Sequence, residues 1–318
     1  RLTNSCAVCA AEYFLKTLEG QELSMRIVFS VLALIAFASA HAADQSSAPV
    51  TFDNKAWYEP AEPLHIAGPI YYVGTRDLGS YLITTSAGHI LLDGAMPGSE
   101  HLIEDSIRKL GFKIEDIHLL LITHAHMDHV GTLAYFKKRT GAPLLVMPPD
   151  DELLKSGGAK DYLYSTVESF HFPPVSADRT LRDGETVTLG DVQLTAHHTP
   201  GHTRGCTTWT TTVKEGGRAY RVVFTGSTSV NPGTHLVQSP SYPNIAEDYQ
   251  RAFKVLDSLQ PEIFLAAHAS FFDMDSKRGR VLSEGVQAFV DPQGYKLAND
   301  GKRAAFEKQL AEEQSKKL

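Results

Sequence analysis

Short runs rich in β-branched and aromatic residues alternate along the chain with segments whose apolar residues recur at helical spacing. Runs of the first kind are typical of strands, especially where turn residues bound them. They predict strands at residues 69–74, 81–84, 89–92, 118–123, 143–147, 186–189, 192–196, 207–213, 220–225 and 262–267. Both halves of the chain are therefore rich in β-structure.

Helical spacing is clearest between Ser99, a residue type suited to the N-cap position, and Gly111, which is suited to ending a helix. The apolar residues between them are Leu102, Ile103, Ile107 and Leu110. Further helices are predicted at three places, namely residues 131–140 (with Gly141 as the stop), residues 245–259 and the segment around Phe306 and Leu310.

The order of these elements predicts the fold class and the domain organisation. No linker rich in Pro, Gly or Ser divides residues 43–318, and no short repeat is present, so they are predicted to form a single domain. Interleaved strands and helices indicate the α/β class. Strand-rich stretches in each half predict two β-sheets packed face to face with helices outside, although periodicity leaves the strand order open.

The composition is that of a globular protein, with 42% hydrophobic and 21% charged residues among 318. The net charge is −7, and the sequence contains no cluster of Lys or Arg. Since nucleic-acid binding needs a basic patch, we expect no nucleic-acid partner.

A signal peptide is predicted at residues 25–42. Met25 is followed by Arg26, an apolar run at 27–38 and small residues that allow cleavage after Ala40 or, as we favour, after Ala42. The run is shorter than the ~20 residues that a membrane-spanning helix needs, so we expect no membrane span in the mature form. Residues 1–24, which lie upstream of this signal, are interpreted as an untranslated segment outside the natural protein.

The cysteines give little chemistry. Cys6 and Cys9 form a C-x-x-C in the upstream segment, which is weak evidence for a redox or metal site. Cys206 is the only cysteine after residue 42, so the mature chain cannot form an internal disulfide. We interpret Cys206 as a small packed residue.

The most informative segment carries His124, His126, Asp128 and His129 directly after the predicted strand 118–123. Side chains on a turn at a strand end can converge, whereas side chains within a strand alternate between faces. Imidazole nitrogen and carboxylate oxygen suit Zn²⁺. Four candidate ligands exceed what one tetrahedral ion with a bound water requires, so the segment predicts a two-metal site.

Two later histidines also follow predicted strands. His202 lies in the turn Thr-Pro-Gly-His-Thr, and His268 follows the apolar run 263–267, so three strand ends supply six candidate ligands. The alternative is a histidine-rich surface loop that binds metal adventitiously, but the apolar strand behind it argues against this. His197 and His198 stay ambiguous because they are close to His202.

The motifs H-x-H-x-D-H, T-P-G-H-T and the late A-H, with Gly-His-Ile-Leu-Leu-Asp-Gly at 88–94, resemble the metallo-β-lactamase superfamily. The resemblance runs from about Gly68 to the C-terminus and is greatest to the class B β-lactamases of the third subclass (subclass B3). It implies an αβ/βα four-layer sandwich with the metals at the edge between the two sheets.

The resemblance also implies roles for individual residues. His124, His126 and His202 would hold a first Zn²⁺, and Asp128, His129 and His268 a second, so that two Zn²⁺ are expected as cofactors. Asp128 would also be catalytic, orienting the attacking water and passing a proton. Asp93 matches an acid that orients the ligands from beneath.

The motif alone names no substrate, because glyoxalases, lactonases, nucleases and sulfatases share it. Lactonase-like members carry an aspartate, and the first two lactamase subclasses a cysteine, where this chain has Ser227. Subclass B3 has serine there and a second serine two residues on, matched by Ser229, for the substrate carboxylate. Simple turn chemistry is the alternative for both serines.

Two features depart from the subclass. Many members have Asp where this chain has Gly226, which puts hydrogen bonds around the ligands in doubt. Several members also have a C-terminal disulfide, which this chain cannot form, so its stability has another source.

The predicted function is zinc-dependent opening of the amide ring of β-lactam antibiotics (penicillins, cephalosporins and carbapenems), which confers antibiotic resistance. We expect a periplasmic or secreted bacterial monomer whose partner is the small-molecule substrate. The alternatives are a lactonase or thioester hydrolase on the same dizinc scaffold and, from a different class, a zinc-scavenging protein without catalysis.

Overall fold

The computed structural model describes residues 54–316 of the chain, so the predicted signal peptide and the upstream segment lie outside the described residues. The described residues form two β-sheets. The first has seven strands, which pair in chain order: β1 (Leu64–Ala67), β2 (Ile70–Tyr72), β3 (Tyr81–Thr85), β4 (Gly88–Leu92), β5 (Ile117–Leu121), β6 (Leu144–Val146) and β7 (Arg179–Thr180). The second has five: β8 (Thr186–Leu189), β9 (Val192–His198), β10 (Thr207–Glu215), β11 (Arg218–Thr225) and β12 (Ile263–Ala266).

Strand direction brings distant parts of the sequence to one edge. In the first sheet β1 to β4 are antiparallel and β4 to β7 are parallel, so β4, β5 and β6 end on the same side. In the second sheet β8 to β11 are antiparallel and β12 runs parallel to β11, so β9, β11 and β12 share one direction. The loops after these six strands carry all the candidate site residues predicted from the sequence.

The main core lies between the two sheets. Ile90 and Leu92 of β4 and Leu121 of β5 belong to the same buried cluster as Trp209 of β10 and Phe224 of β11. Side chains of a strand alternate between faces, so Leu91 and Leu120 belong to a second cluster on the outer face of the first sheet.

Helices complete the four layers. They are α1 (Glu100–Lys109), α2 (Met127–Val130), α3 (Leu133–Thr140), α4 (Pro148–Ser156), α5 (Ile245–Ser258), α6 (Met274–Glu284) and α7 (Pro292–Ser315), with 3₁₀ turns at Lys55–Trp57, Ile114–Asp116, Glu168–Phe170, Ala269–Phe272 and Gly285–Phe289. Ile103 of α1 and Phe136 of α3 pack in the outer cluster of the first sheet. Leu256 of α5 and Tyr295 of α7 pack with Phe264 of the second sheet.

The sequence pattern found ten of these strands but missed β1 and β7, which are short and carry little periodicity. It also missed α4 and α6. The helix predicted at 131–140 is α3 (Leu133–Thr140), whereas the short α2 before it, which begins inside the histidine motif, was also missed. Ser99 precedes α1 as predicted, but its hydroxyl donates to the carbonyl of Met96 at 2.6 Å rather than capping the helix.

Within residues 54–316, none of the helices combines the length and the apolar character that crossing a membrane requires.

Trp209 joins the two sheets at the site edge, because its buried indole donates from Nε1 to the carbonyl oxygen of Ile122 at 2.8 Å. Trp209→Phe should lower the free energy of unfolding by roughly 1–3 kcal/mol, since a buried carbonyl loses its donor. Urea unfolding measures the change. Leu282→Ala is the control, because Leu282 is 99% exposed and should change little. Equal effects of the two substitutions would contradict the role given to Trp209.

Candidate metal centre

The segment after β5 carries four of the candidate ligands, some on extended backbone and some on helical backbone. His126 is extended, whereas Asp128 and His129 lie in the short helix α2 that begins at Met127. The imidazole of His124 and that of His129 have ring centroids 4.3 Å apart. The change from strand to helix therefore turns alternate side chains towards one point.

His202 enters from the second sheet through a turn that depends on Gly201. This glycine has a φ of +135°, which favours glycine, and a Cβ atom there would lie 2.7 Å from the ring of Tyr249. The turn brings the Nε2 atom of His202 to 3.2 Å from the Nδ1 atom of His126.

The candidate ligands form two groups that share His124. Ligand atoms of His124, His126 and His202 lie within 4.8 Å of one another, and so do those of His124, Asp128 and His129. His268, which follows β12, comes to 3.4 Å from Asp128, measured from Nε2 to Oδ2. The structure thus brings all six predicted ligands together, while their assignment to particular ions stays a prediction.

Each of four imidazoles has an oxygen atom on the side facing away from this cluster. The ring nitrogen Nδ1 of His124 lies 3.1 Å from Oγ1 of Thr123, which donates to Asp93. The other three contacts join Nδ1 of His202 to the carbonyl of Ser229 at 2.8 Å, Nε2 of His126 to Asp161 at 3.3 Å and Nδ1 of His268 to Asp77 at 3.1 Å. An oxygen acceptor there places the proton on the outer nitrogen and leaves the inner lone pair free for a metal.

Burial controls the charges of the cluster. It lowers the pKa of His202 to about 3 and that of His124 well below its usual range, helped by neighbouring imidazoles. Burial opposes ionisation of Asp128, yet His129 and His268 hold the pKa of that carboxyl well below its ordinary value. For His268 burial also opposes the charged form, but Asp128 and Asp77 raise its pKa to about 9.

This donor set fits a divalent cation. The neutral imidazoles of His124, His129 and His202 offer lone pairs beside the ionised carboxylate of Asp128. Neighbouring carboxylates raise the pKa of His126 and of His268, and a bound cation would displace the proton from each of these two rings. Both ring nitrogens of His129 are buried, and within residues 54–316 the near neighbour of Nε2 is another candidate ligand, Asp128 at 3.1 Å, which is an environment suited to binding a metal.

A family model described as the metallo-beta-lactamase superfamily matches residues 79–268, which is more than half of the chain and includes all six side chains. The chain belongs to the metallo-β-lactamase superfamily.

Solved structures agree with this assignment. The native FEZ-1 metallo-beta-lactamase from Legionella gormanii is 44% identical, with a TM-score of 0.79 over 80% of this chain and 98% of its own. BJP-1, a subclass B3 metallo-beta-lactamase of Bradyrhizobium japonicum, is 40% identical, with a TM-score of 0.78 over 83% of this chain and 99% of its own. They confirm the predicted α/β sandwich and identify this chain as a superfamily hydrolase.

Curated relatives are more distant. The acyl-coenzyme A thioesterase MBLAC2 of Gallus gallus is 29% identical over 167 residues, 48% of this chain and 57% of that protein. The chain spans about half the length of the curated relatives it matches.

Asp93, to which the resemblance gave the role of orienting the ligands, lies next to Thr123 and His129. Its carboxylate accepts from the backbone N–H and the hydroxyl of Thr123, both at 2.7 Å, and Oδ2 lies 3.9 Å from Nδ1 of His129. The residue adopts a φ of +62°, unusual for a side chain other than glycine. Burial raises the pKa of Asp93 to about 8, so a cation above it would favour the carboxylate form.

The sequence analysis missed the carboxylate that joins the two ligand loops. Asp150 is buried at the start of α4 and accepts from the N–H of Ala125 at 2.8 Å, the hydroxyl of Thr203 at 2.9 Å and the N–H of Gly205 at 2.8 Å. Ala125 separates two candidate ligands and Thr203 follows a third. The only sequence signal was its place after a predicted strand.

Asp77 and Asp161 were missed as well. Asp77 contacts His268 and also accepts from Nε1 of Trp57 at 3.1 Å and from the N–H of Ser270 at 3.0 Å. Asp161 contacts His126 from the segment between α4 and the 3₁₀ turn Glu168–Phe170.

The thiol of Cys206 packs directly against Gly226. A Cβ atom on Gly226 would lie 2.6 Å from Sγ of Cys206. The thiol is buried, its pKa is raised to about 12 by that burial, and it contacts the backbone N–H and carbonyl of Ser227 at 3.4 Å each. The thiol thus fills the space that a side chain at position 226 would need.

The two ambiguous histidines lie outside the cluster. Nε2 of His197 contacts the hydroxyl of Thr210 at 2.8 Å, and Nε2 of His198 contacts the carbonyl of Arg204 at 2.7 Å.

Asp150→Asn should weaken zinc binding by about 10–100-fold, because an amide offers one acceptor oxygen where three donors converge. Competition with a chromophoric chelator measures the affinity. Asp151→Asn is the matched control, since that side chain pairs with Lys155 at 2.6 Å and accepts from the N–H of Ala177. Equal zinc affinity in the two variants would show that Asp150 does not hold the loops.

Gly226→Ala should lower the free energy of unfolding by about 1–3 kcal/mol through overpacking against Cys206. In the double variant Gly226→Ala, Cys206→Ala the sulfur is absent, so part of that loss should be recovered. Urea unfolding of the wild type, Gly226→Ala, Cys206→Ala and the double variant gives the coupling energy between the two positions. Strict additivity would contradict the shared space.

Proposed function

We propose that this protein hydrolyses the amide bond of β-lactams with two zinc ions and thereby confers antibiotic resistance. The observation that carries the proposal is the pair Ser227 and Ser229 beside the metal cluster, where the carbonyl of Ser229 contacts His202. Ser227 stands at the position where other superfamily members have aspartate or cysteine. The similarity to FEZ-1 and BJP-1 over nearly their whole lengths supports it.

In this proposal His124, His126 and His202 hold one zinc, and Asp128, His129 and His268 hold the other. Zinc bound there supplies Lewis-acid polarisation of the lactam carbonyl and lowers the pKa of water. The chain supplies the rest, beginning with an outer hydrogen-bond partner for four of the five imidazoles.

Asp128 is the proton carrier. Its carboxylate is ionised and lies 3.1 Å from Nε2 of His129 and 3.4 Å from Nε2 of His268, which fix its position. It can accept a proton from the attacking water and deliver it to the lactam nitrogen as the ring opens. No serine becomes acylated in this scheme.

Aromatic side chains border the cluster. The ring of Trp57 lies 5.7 Å from that of His268, and the ring of Tyr164 lies 5.9 Å from that of His126. Tyr58 is 51% exposed, and burial and the charge of Asp128 raise its pKa. We propose that these rings exclude water around a bound substrate.

As part of the same proposal, the enzyme acts in the periplasm or the medium, in keeping with the predicted signal peptide at residues 25–42. The expectation of a monomer stays a prediction.

Thioester or lactone hydrolysis is the second candidate, favoured by the similarity to the acyl-coenzyme A thioesterase MBLAC2. The same metal cluster could serve either reaction, so the substrate decides between them.

The test is hydrolysis of a penicillin, a cephalosporin and a carbapenem by the purified protein, with an acyl-coenzyme A and a homoserine lactone measured alongside. We expect rapid ring opening of the β-lactams, complete loss of activity with EDTA and recovery with Zn²⁺, because the proposed reaction requires the zinc that the six side chains would bind. Faster hydrolysis of the thioester or lactone, with no β-lactam opened by zinc-loaded protein, would replace the proposal with the second candidate. A covalent adduct on any serine during turnover, detected by mass spectrometry, would contradict the mechanism.

A further inference from the structure

Lys302 differs from its cationic neighbours on α7. Lys296 pairs with Asp300 at 2.5 Å, and Arg303 pairs with Asp257 at 2.5 Å. Within residues 54–316 no carboxylate comes within the 4.0 Å ion-pair distance of the Lys302 ammonium. Burial lowers the pKa of Lys302, and no acidic group offsets this effect. A half-buried cation without a counter-ion calls for an anion from elsewhere.

The ammonium points towards the metal centre. Nζ donates to Oγ of Ser229 at 2.6 Å and lies 4.0 Å from the centroid of the Phe271 ring. The Phe271 ring in turn lies 4.7 Å from that of His268. The carbonyl of Ser229 accepts from His202, which is itself one of the six candidate ligands, so Ser229 lies directly next to the cluster.

These contacts determine which way the serine hydroxyls can act. An ammonium has only donors, so Oγ of Ser229 accepts from Lys302 and its own hydrogen is free to be donated. Oγ of Ser227 likewise accepts from the N–H of Ser229 at 3.2 Å. Both hydroxyls are thereby held as donors, the arrangement that an anion requires.

Open space lies next to these groups. A cavity of about 250 Å³ is lined by Ser227, Thr228, Phe271 and Lys302 among others, and its remaining walls are mainly apolar side chains and threonines. The charge of Lys302 is therefore screened by few polar atoms, which strengthens its interaction with an anion.

We propose that Lys302 is a positioning residue for anionic substrates, which through Ser229 holds the carboxylate of the substrate beside the metal centre. This inference rests on the proposed function and assigns substrate selection to a residue of the C-terminal helix. It accounts for a preference for carboxylate-bearing substrates without an arginine in the ligand loops.

The experiment compares a chromogenic cephalosporin with its methyl ester, which lacks only the negative charge. Wild-type enzyme should have a KM for the acid about tenfold below that for the ester, as one charge-assisted contact predicts. Lys302→Met should raise the KM for the acid about tenfold, keep kcat within about twofold and leave the ester unchanged. Lys302→Arg should retain the preference, and Lys296→Met is the control on the same helix.

A KM that rises equally for acid and ester, or that does not rise, would overturn the inference, because a merely structural role does not distinguish the two substrates. Thermal unfolding and zinc content show whether Lys302→Met is folded. If that variant is unfolded, Lys302→Gln is measured in its place, together with the ratio of the KM values of the wild type for the ester and the acid. A wild-type ratio near one overturns the inference.

Failure of the proposed function has a different signature. Zinc-loaded wild type would then turn over neither compound. Calorimetric binding of the same acid and ester to wild type and Lys302→Met would still test the anion site, with weaker acid binding by the variant expected and equal binding contrary to it.

Discussion

Buried carboxylates hold the irregular loops of this protein in place. A buried Asp must be satisfied by several donors, and the donors available at a sheet edge are backbone N–H groups of loops. Asp150 receives three donors from two loops, Asp93 receives two from Thr123, and the partly buried Asp77 receives donors from two segments, at Trp57 and at Ser270. The ligand side chains have fixed positions because the backbone that carries them is fixed in this way.

This constraint also separates what the sequence could predict from what it could not. The ligands His124, His126, Asp128 and His129 were predictable because their chemistry is concentrated in six residues after a periodic strand. Asp150 was not, because its importance comes from contacts with Ala125 and Gly205, which are 25 and 55 residues away. Periodicity describes which face of an element is apolar, and such long-range polar contacts leave no periodic signal.

The elements of the fold were likewise predictable where they leave a periodic signal in the sequence. Strand β9 is long and alternates between buried and more exposed residues, and β11 ends in a run of buried residues, so both positions were predicted well. The two-residue strand β7 is exposed and has no pattern. The order of strands could not be predicted because it depends on pairing between chain segments. Gly226 departs from the pattern of the subclass, and the packing of Cys206 against it shows that the thiol takes the space a side chain at position 226 would need.

Superfamily enzymes share a metal cluster, so the groups around it must decide which substrate is bound. The group proposed for this role comes from the far end of the sequence: Lys302 on α7 contacts Ser229, whose carbonyl contacts His202. Ser229 therefore links the candidate ligand His202 to Lys302 on the C-terminal helix. Tyr249 strengthens this link, since its hydroxyl donates to the same carbonyl at 2.8 Å while its ring packs against Gly201. Ligand orientation and the proposed substrate selection consequently depend on one short segment, so a change in the serine loop would disturb the metal centre as well.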